Sequence, residues 1–300
     1  MKVALVTSWP GGAVYNVLQP LVSELQELGV DAQLVHYSTA NPDEKKDLYT
    51  AIDVISDCDL VHYGWIGYAP FFKDQVFIPA TAGIHHIPDG RLDSTVRLLL
   101  DLNIKRVVVS ELFSLRQLGQ VGWTNTTIIP YVFDHSKFRH MPPPANFTVG
   151  VLGCDYALKR FSIAKQAAKI AKVQFNSYAR DVVDERVGWV PQDNVLQFYK
   201  SISCYIETTF DSGGSLPPQE ALLCGRPVIA THVGMMPQII KHGVNGVFFD
   251  GGVSDCVKAI DTVQHNYDEL CDGAMATKLP LAEDIAPRWV EMWEEVLSDR

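Results

Sequence analysis

Glu220 stands in the run DSGGSLPPQEALLCGRPVIAT, residues 211 to 231, where glycines and prolines lead into a short helical pattern and that pattern leads into an apolar strand. A loop feeding a helix N-terminus presents unpaired backbone N–H groups and the positive end of the helix dipole to an anion. A single carboxylate in that first turn accepts hydrogen bonds only, so it suits the two hydroxyls of a diol better than a phosphate. Pro217 and Pro218 fit a first helical turn, and Gly225 followed by Pro227 ends the helix. Glu220 is either a solvated first-turn acid favoured by the dipole or, lying just ahead of the apolar ALL, a buried acid that requires a donor.

Two further turns have the same strand-to-helix character. In TSWPGGAVYN, Gly11 and Gly12 fall between an apolar run and a helical pattern, where glycine lets backbone amides approach a phosphate or sugar. In LGCDYALKRFS, Lys159 and Arg160 lie just ahead of a helical pattern at 161–172, where a point charge and a guanidinium fork can add to the dipole against a diphosphate. His85 and His86 follow an apolar strand pattern in GIHHIPDG, whereas His36 and His62 lie within strand patterns and read as packing residues. No GxGxxG or GxxxxGK[ST] is present, so dinucleotide and P-loop readings fail. No His and carboxylate spacing suits a metal, no nucleophile elbow appears, and hydrolase chemistry is not written here.

These residues need elements to position them. Short β-branched runs (KVALVTS, DAQLVHY, DLVHYGW, VFIPATAGIHH, RVVVSE, TTIIPYVF) alternate with helical patterns such as AVYNVLQPLVSELQELG and a segment near 43–56. That rhythm predicts a parallel sheet covered on both faces. The three prolines of RHMPPPANF interrupt it and read as a stiff connector. The rhythm restarts with FTVGVLGCD and FSIAKQAAKIAK, continues through VQFNSYA, DNVLQFYKSI and SCYIETTF, and runs to a helix near 254–271. A last amphipathic helix, IAPRWVEMWEEVLSD, carries Trp289 and Trp293 four apart on one face. The fold class expected is α/β, with two Rossmann-like doubly wound domains facing a central cleft in which ligands bind beyond the strand carboxyl ends. The expected boundaries are an N-terminal domain at 1–138, a linker at 139–146, a C-terminal ligand domain at 147–282 and a final helix at 283–300.

Net charge is −10 over 300 residues, which disfavours a polyanionic partner. The apolar start is too short for a signal core, and no run approaches a membrane span. Six scattered cysteines without CxxC spacing read as reduced core thiols, which implies a cytoplasmic protein.

Residues 211–249 resemble the nucleotide-sugar signature of retaining GT-B glycosyltransferases of the family-4 type, E-x-F-G-L-P-x-x-E-A followed by G-x-P-V-I-A and a later N-G. The matches stay in register as SGGSLPPQEALLCGRPVIATHVGMMPQIIKHGVNGVFF, and the resemblance extends to VVVSE, IIPYVFDHSKF, VGVLGCDYALKRF and the terminal helix. It implies a donor lying across the second domain, with Glu220 on the ribose hydroxyls and Lys159 on the diphosphate. It further implies that Gly12 closes over the phosphates, that His85 is the sugar-side histidine, and that Val190 contacts the base. Ser212, Gly213, Gly214, Ser215 and Leu216 would line the donor sugar, and Arg160 could take over the charge of the usual diphosphate arginine. That arginine's place is held by Cys154, and the family's first signature glutamate falls at Ser212. Gly234-Met235 stands for the usual Gly-Gly, and Pro237-Gln238 for Pro-Glu.

The function implied is retaining transfer of a sugar from a UDP- or GDP-sugar to an acceptor hydroxyl, with no cofactor and no metal expected. Lys159, Glu220 and His85 are the expected catalytic set. The acceptor is open among glycan, small molecule, lipid and modified nucleic acid, including a modified base in phage DNA. One rival follows from the departures, a catalytically degenerate nucleotide-sugar-binding protein or regulatory subunit; another is a GT-B nucleotide-sugar epimerase, over which the E-A-x-x-x-G-x-P-V pattern with a following N-G favours transfer.

Overall fold

The computed structural model describes residues 1–7, 13–37, 44–85, 87, 90–155, 159–181 and 192–299. The chain divides into two compact units, Met1–Phe133 with Pro280–Arg300, and Asp134–Leu279.

The first unit is built on six parallel strands: β1 (Lys2–Thr7), β2 (Asp31–His36), β3 (Leu60–Tyr63), β4 (Ala80–Ile84), β5 (Ile104–Val109) and β6 (Thr126–Ile128), in the order β2-β1-β3-β4-β5-β6. β3 and β4 are buried at every position and β1 at all but its first residue, because helices cover the sheet and no strand face is left for polar residues. The helices are α1 (Ala13–Leu18), α2 (Leu21–Glu27), α3 (Glu44–Ser56), α4 (Leu92–Asp101) and α5 (Leu112–Gln120), with a 3₁₀ turn at Ile66–Phe71. The single helix expected over 13–29 is two helices. Pro20 has no N–H to donate and its ring crowds the preceding turn, so the chain breaks there and restarts at Leu21.

The second unit has five parallel strands: β7 (Thr148–Asp155), β8 (Gln174–Asp181), β9 (Cys204–Glu207), β10 (Val228–Ala230) and β11 (Gly246–Phe248), in the order β11-β10-β9-β7-β8. Its helices are α6 (Phe161–Ala171), α7 (Gln192–Ser201), α8 (Pro217–Leu223), α9 (Met236–Ile239), α10 (Val253–His265) and α11 (Tyr267–Met275). The helix expected near 254–271 is interrupted at Asn266, whose side-chain amide donates to the Thr262 carbonyl. In both sheets the strand order reverses between the unit's first and third strands, β1 and β3 or β7 and β9. The loops beyond the carboxyl ends of such a pair diverge and leave room for a ligand.

The last helix, α12 (Ala282–Ser298), belongs to the first unit and packs on α2. Its Trp289 ring lies edge-on to His62 at 4.7 Å, Glu295 pairs with Arg106 at 3.1 Å, and Arg288 donates to the Ile128 carbonyl at 2.5 Å. His62 is buried, with Nδ1 2.9 Å from Thr81 Oγ1, and is a packing residue; burial pushes its pKa down to about 3. Part of the proline stretch expected as a stiff linker is tied down by hydrogen bonds. Buried Arg226 donates to the carbonyls of Met141 and Pro142, each at 2.9 Å, and to that of Tyr199 at 2.9 Å, so 141–142 is bound into the second unit. The thiols of Cys58, Cys204, Cys224, Cys256 and Cys271 are free, the first four buried.

Candidate functional site

Among the described residues of the second unit, a set of polar contacts gathers at the carboxyl ends of β7 and β9, where its strand order reverses. β9 ends in Glu207, 1% exposed, because the apolar CYI ahead of it runs through the core and delivers its last side chain to the sheet's edge. Oε2 of Glu207 accepts the Ser215 hydroxyl at 2.8 Å. Oε1 accepts the Thr209 N–H at 3.3 Å and the Thr209 hydroxyl, and lies 3.6 Å from Lys159 Nζ. Two loops, the β7–α6 turn through Lys159 and the β9–α8 loop through Thr209 and Ser215, therefore converge on one buried carboxylate.

Lys159 and Arg160 precede α6, as the sequence implies, and they separate. Lys159 reaches Glu207, and its carbonyl accepts the Thr208 hydroxyl. Arg160 takes a left-handed backbone (φ 47°) and folds back onto the Thr208 carbonyl through Nε at 2.9 Å and Nη2 at 2.7 Å. Its guanidinium also lies 4.8 Å from the centre of the Phe210 ring. Arg160 thus spends much of its fork on holding the β9 loop.

The loop before α8 is held from both sides. Gly213 O accepts the Met235 N–H at 3.2 Å, and a Cβ on Gly234 would collide with the carbonyls of Ser212 and Gly213. Gly234 also has φ 52°, so only glycine lets the chain pass there without strain. Ser215 is buried on Glu207, and its carbonyl accepts from Gln219 Nε2 at 3.0 Å. Leu216 caps α8, a helix of seven residues with prolines in its first turn.

Glu220 is buried in that helix, so of the two alternatives left open by the sequence the buried acid is correct. Its donor is Tyr199 of α7, whose hydroxyl lies 2.7 Å from Oε2 and 3.1 Å from the Pro217 carbonyl. Burial pushes the Glu220 pKa up to about 7, against the opposing effect of the tyrosine hydrogen bond. The Tyr199 phenol is raised well above its usual range by burial and by the neighbouring carboxylate.

His85 lies in the first unit. Nε2 is 2.6 Å from the Gly64 carbonyl, which can only accept, so Nε2 carries the proton and Nδ1 accepts the Tyr131 hydroxyl at 2.5 Å. Both ring nitrogens are therefore occupied by the protein, and burial lowers the ring's pKa. Gly83 makes this contact possible, since a Cβ there would strike the Gly64 carbonyl. Gly12 and Val190, and likewise His86, lie outside the described residues.

The structure brings together Lys159, Arg160 and Ser215 around the end of β9, sets the Ser212–Gly213 carbonyls against Gly234, and gives Glu220 its own tyrosine. Gly214 lies in the same loop. Glu207, Tyr199, Tyr131 and Gly64 were missed from sequence. Glu207 had one usable signal, a carboxylate closing the apolar run SCYIE at a strand's carboxyl end; the tyrosines and Gly64 had none. Among the described residues, no group of three or more His, Cys, Asp or Glu is arranged to hold a metal ion, and no helix is long and apolar enough to cross a membrane.

The family model for glycosyl transferases group 1 matches residues 185–274, the segment that contains β9, the 211–216 loop, α8 and Glu220. Over all of this chain and all of its own, sucrose-phosphate synthase from Thermosynechococcus elongatus superposes with a TM-score of 0.75 at 13% identity. Anabaena HepE in complex with UDP and glucose superposes over 100% of this chain and 99% of its own with a TM-score of 0.67 at 15% identity. The fold is GT-B. The GT-B expectation, two parallel-sheet α/β domains, holds, and the segment that matches the group 1 model lies within the second unit. A D-inositol 3-phosphate glycosyltransferase of Mycolicibacterium vanbaalenii is 33% identical over 70 residues, which is 22% of this chain and 16% of that protein.

Proposed function

We propose that this GT-B chain transfers a sugar from a nucleoside diphosphate sugar to an acceptor hydroxyl with retention of anomeric configuration. The observation that carries the reading is the cluster of Lys159, Ser215 and Glu207 at the end of β9, with buried Glu220 at the start of the next helix; all but Lys159 lie inside the segment that matches the group 1 family model. It is supported by the UDP and glucose bound in Anabaena HepE, to which the fold is similar.

In this reading the ribose hydroxyls donate to Glu220, and the diphosphate lies against Lys159 and the start of α6, whose dipole favours an anion. The bond from the sugar's anomeric carbon to the β-phosphate oxygen breaks, and a bond from that carbon to the acceptor oxygen forms on the same face. The acceptor's proton passes to the departing phosphate oxygen, so no protein nucleophile is required. Lys159 stabilises the charge that develops on the diphosphate. His85, with both nitrogens engaged, braces Gly64 and Tyr131 beside the first unit's sheet.

The test is a thermal-shift screen of UDP-, GDP- and ADP-sugars, since a ligand at a hundred times its Kd stabilises the bound protein by about 2.7 kcal/mol. One donor is expected to raise the melting point and, on incubation without acceptor, to release free sugar slowly. Absence of a shift with every donor overturns the reading. A second reading, a nucleotide-sugar-binding protein without transfer, is favoured by Ser212, where the family's signature has an acid. Binding without any sugar release supports it.

A further inference from the structure

Lys159 does not stand alone as a bare charge. Its Nζ is 3.6 Å from Glu207 Oε1, with the two side chains 14% and 2% exposed. That distance makes an ion pair but exceeds a direct hydrogen bond, and Oε1 already receives the N–H and hydroxyl of Thr209. The ammonium is therefore held in place, and among the described residues nothing hydrogen-bonds its three N–H donors, which leaves them to a second anion. The other carboxylate oxygen takes the Ser215 hydroxyl at 2.8 Å and so anchors the loop that ends at α8. Arg160, next in sequence, is committed to the Thr208 carbonyl and the Phe210 ring.

We propose that Glu207 is a positioning residue of the donor site: it fixes Lys159 and Ser215 in place and offsets the lysine's charge, so that diphosphate affinity is set by the Lys159–Glu207 pair. The proposal rests on the nucleotide-sugar reading above. A diphosphate entering the site is attracted by Lys159 and repelled by the carboxylate behind it. The carboxylate makes the grip on the product diphosphate weaker than Lys159 alone would give. A unit charge a few ångströms away in a partly buried site changes anion affinity by about tenfold or more.

Calorimetry on the full chain with UDP and UMP tests this, with GDP and GMP or ADP and AMP substituted if the screen selects another base. Glu207→Gln keeps an oxygen for Ser215 or Thr209 and removes the charge. It is expected to tighten UDP about tenfold and UMP much less. In a Lys159→Met background UDP binding is expected to weaken, and the same change still to tighten it, because the carboxylate repels the diphosphate directly. If Glu207 only braces the fold, E207Q lowers the melting point and leaves the UDP-to-UMP ratio unchanged; that result overturns the proposal. Should E207Q not fold, K159M decides. It strands a buried carboxylate, so the ligand-free protein is expected to melt several degrees lower, and an unchanged melting point overturns the pairing. A wild-type chain that binds none of the three diphosphates removes the nucleotide-sugar reading and the donor-site role of Glu207 together. Loss of the E207Q effect alone removes only that role.

Discussion

Glu220 and Tyr199 share one phenolic proton among two acceptors, the carboxylate and the Pro217 carbonyl. When Glu220 is ionised the phenol donates to it; when Glu220 is protonated, its own O–H can donate to the phenol oxygen and Tyr199 can turn to Pro217. With the folded pKa raised from 4.5 to about 7, the folded chain holds more protons than the unfolded chain between those values. This group's contribution to stability is greatest below the unfolded pKa and is lost as pH rises toward 7, by up to about 3 kcal/mol. Donor binding shows the opposite slope. Ribose hydroxyls need the ionised carboxylate, so nucleotide affinity is expected to rise about tenfold from pH 6 to pH 8, with the midpoint near the Glu220 pKa. Calorimetry across that range checks it: Glu220→Gln should flatten the profile, and Tyr199→Phe should move its midpoint upward by removing a donor to the charged form. A flat wild-type profile removes Glu220 from the ribose.

At the scale of elements, the site depends on turns more than on helices. α8 has seven residues and two prolines and presents Glu220, but the loop ahead of it is set by Gly234 from the β10–α9 turn. Gly234→Ala is expected to cost about 2–4 kcal/mol, because it adds both left-handed strain and a collision with two carbonyls. It should also weaken donor binding by displacing residues 212–215. Chemical denaturation with parallel nucleotide titration measures both, and unchanged values in both would show that the loop tolerates the shift. Strand and helix existence was legible from the alternation of β-branched runs and helical patterns. Breaks were less so: Pro20 did divide its helix, as proline chemistry dictates, but Asn266 ends α10 through a side-chain bond to Thr262 that no pattern announces.

At the scale of the whole molecule, the last 21 residues belong to the unit that begins the chain. α12 buries Ile285, Trp289, Met292, Trp293 and Val296, each contributing about 1.5–3 kcal/mol. Their sum rivals the entire stability of an ordinary domain. Deleting 280–300 is therefore expected to abolish the first unit's cooperative melting while the second unit, which is complete by residue 279, still unfolds cooperatively. Calorimetry with tryptophan fluorescence distinguishes this from a chain that merely loses a few degrees. The acidic balance, −10 over the chain, predicts no bulk attraction to nucleic acid, so any anionic ligand must rely on local groups such as Lys159.

The order of β-branched runs, glycine turns and the E-A-x-x-x-G-x-P-V segment already determined a doubly wound α/β chain and marked the segment that matches the group 1 family model, because periodicity and turn chemistry are local properties. The same local order placed Lys159, Arg160, Ser215 and Glu220 beside helix starts. Only the tertiary structure decided what each of them touches. Glu207 meets Lys159 across 48 residues, Tyr199 meets Glu220 across 21, and His85 loses both ring nitrogens to Gly64 and Tyr131. Such pairs are set by strand order and by which side chains the core leaves for one another. Burial then raises the Glu220 carboxyl and lowers the His85 ring, and burial belongs to the folded chain alone.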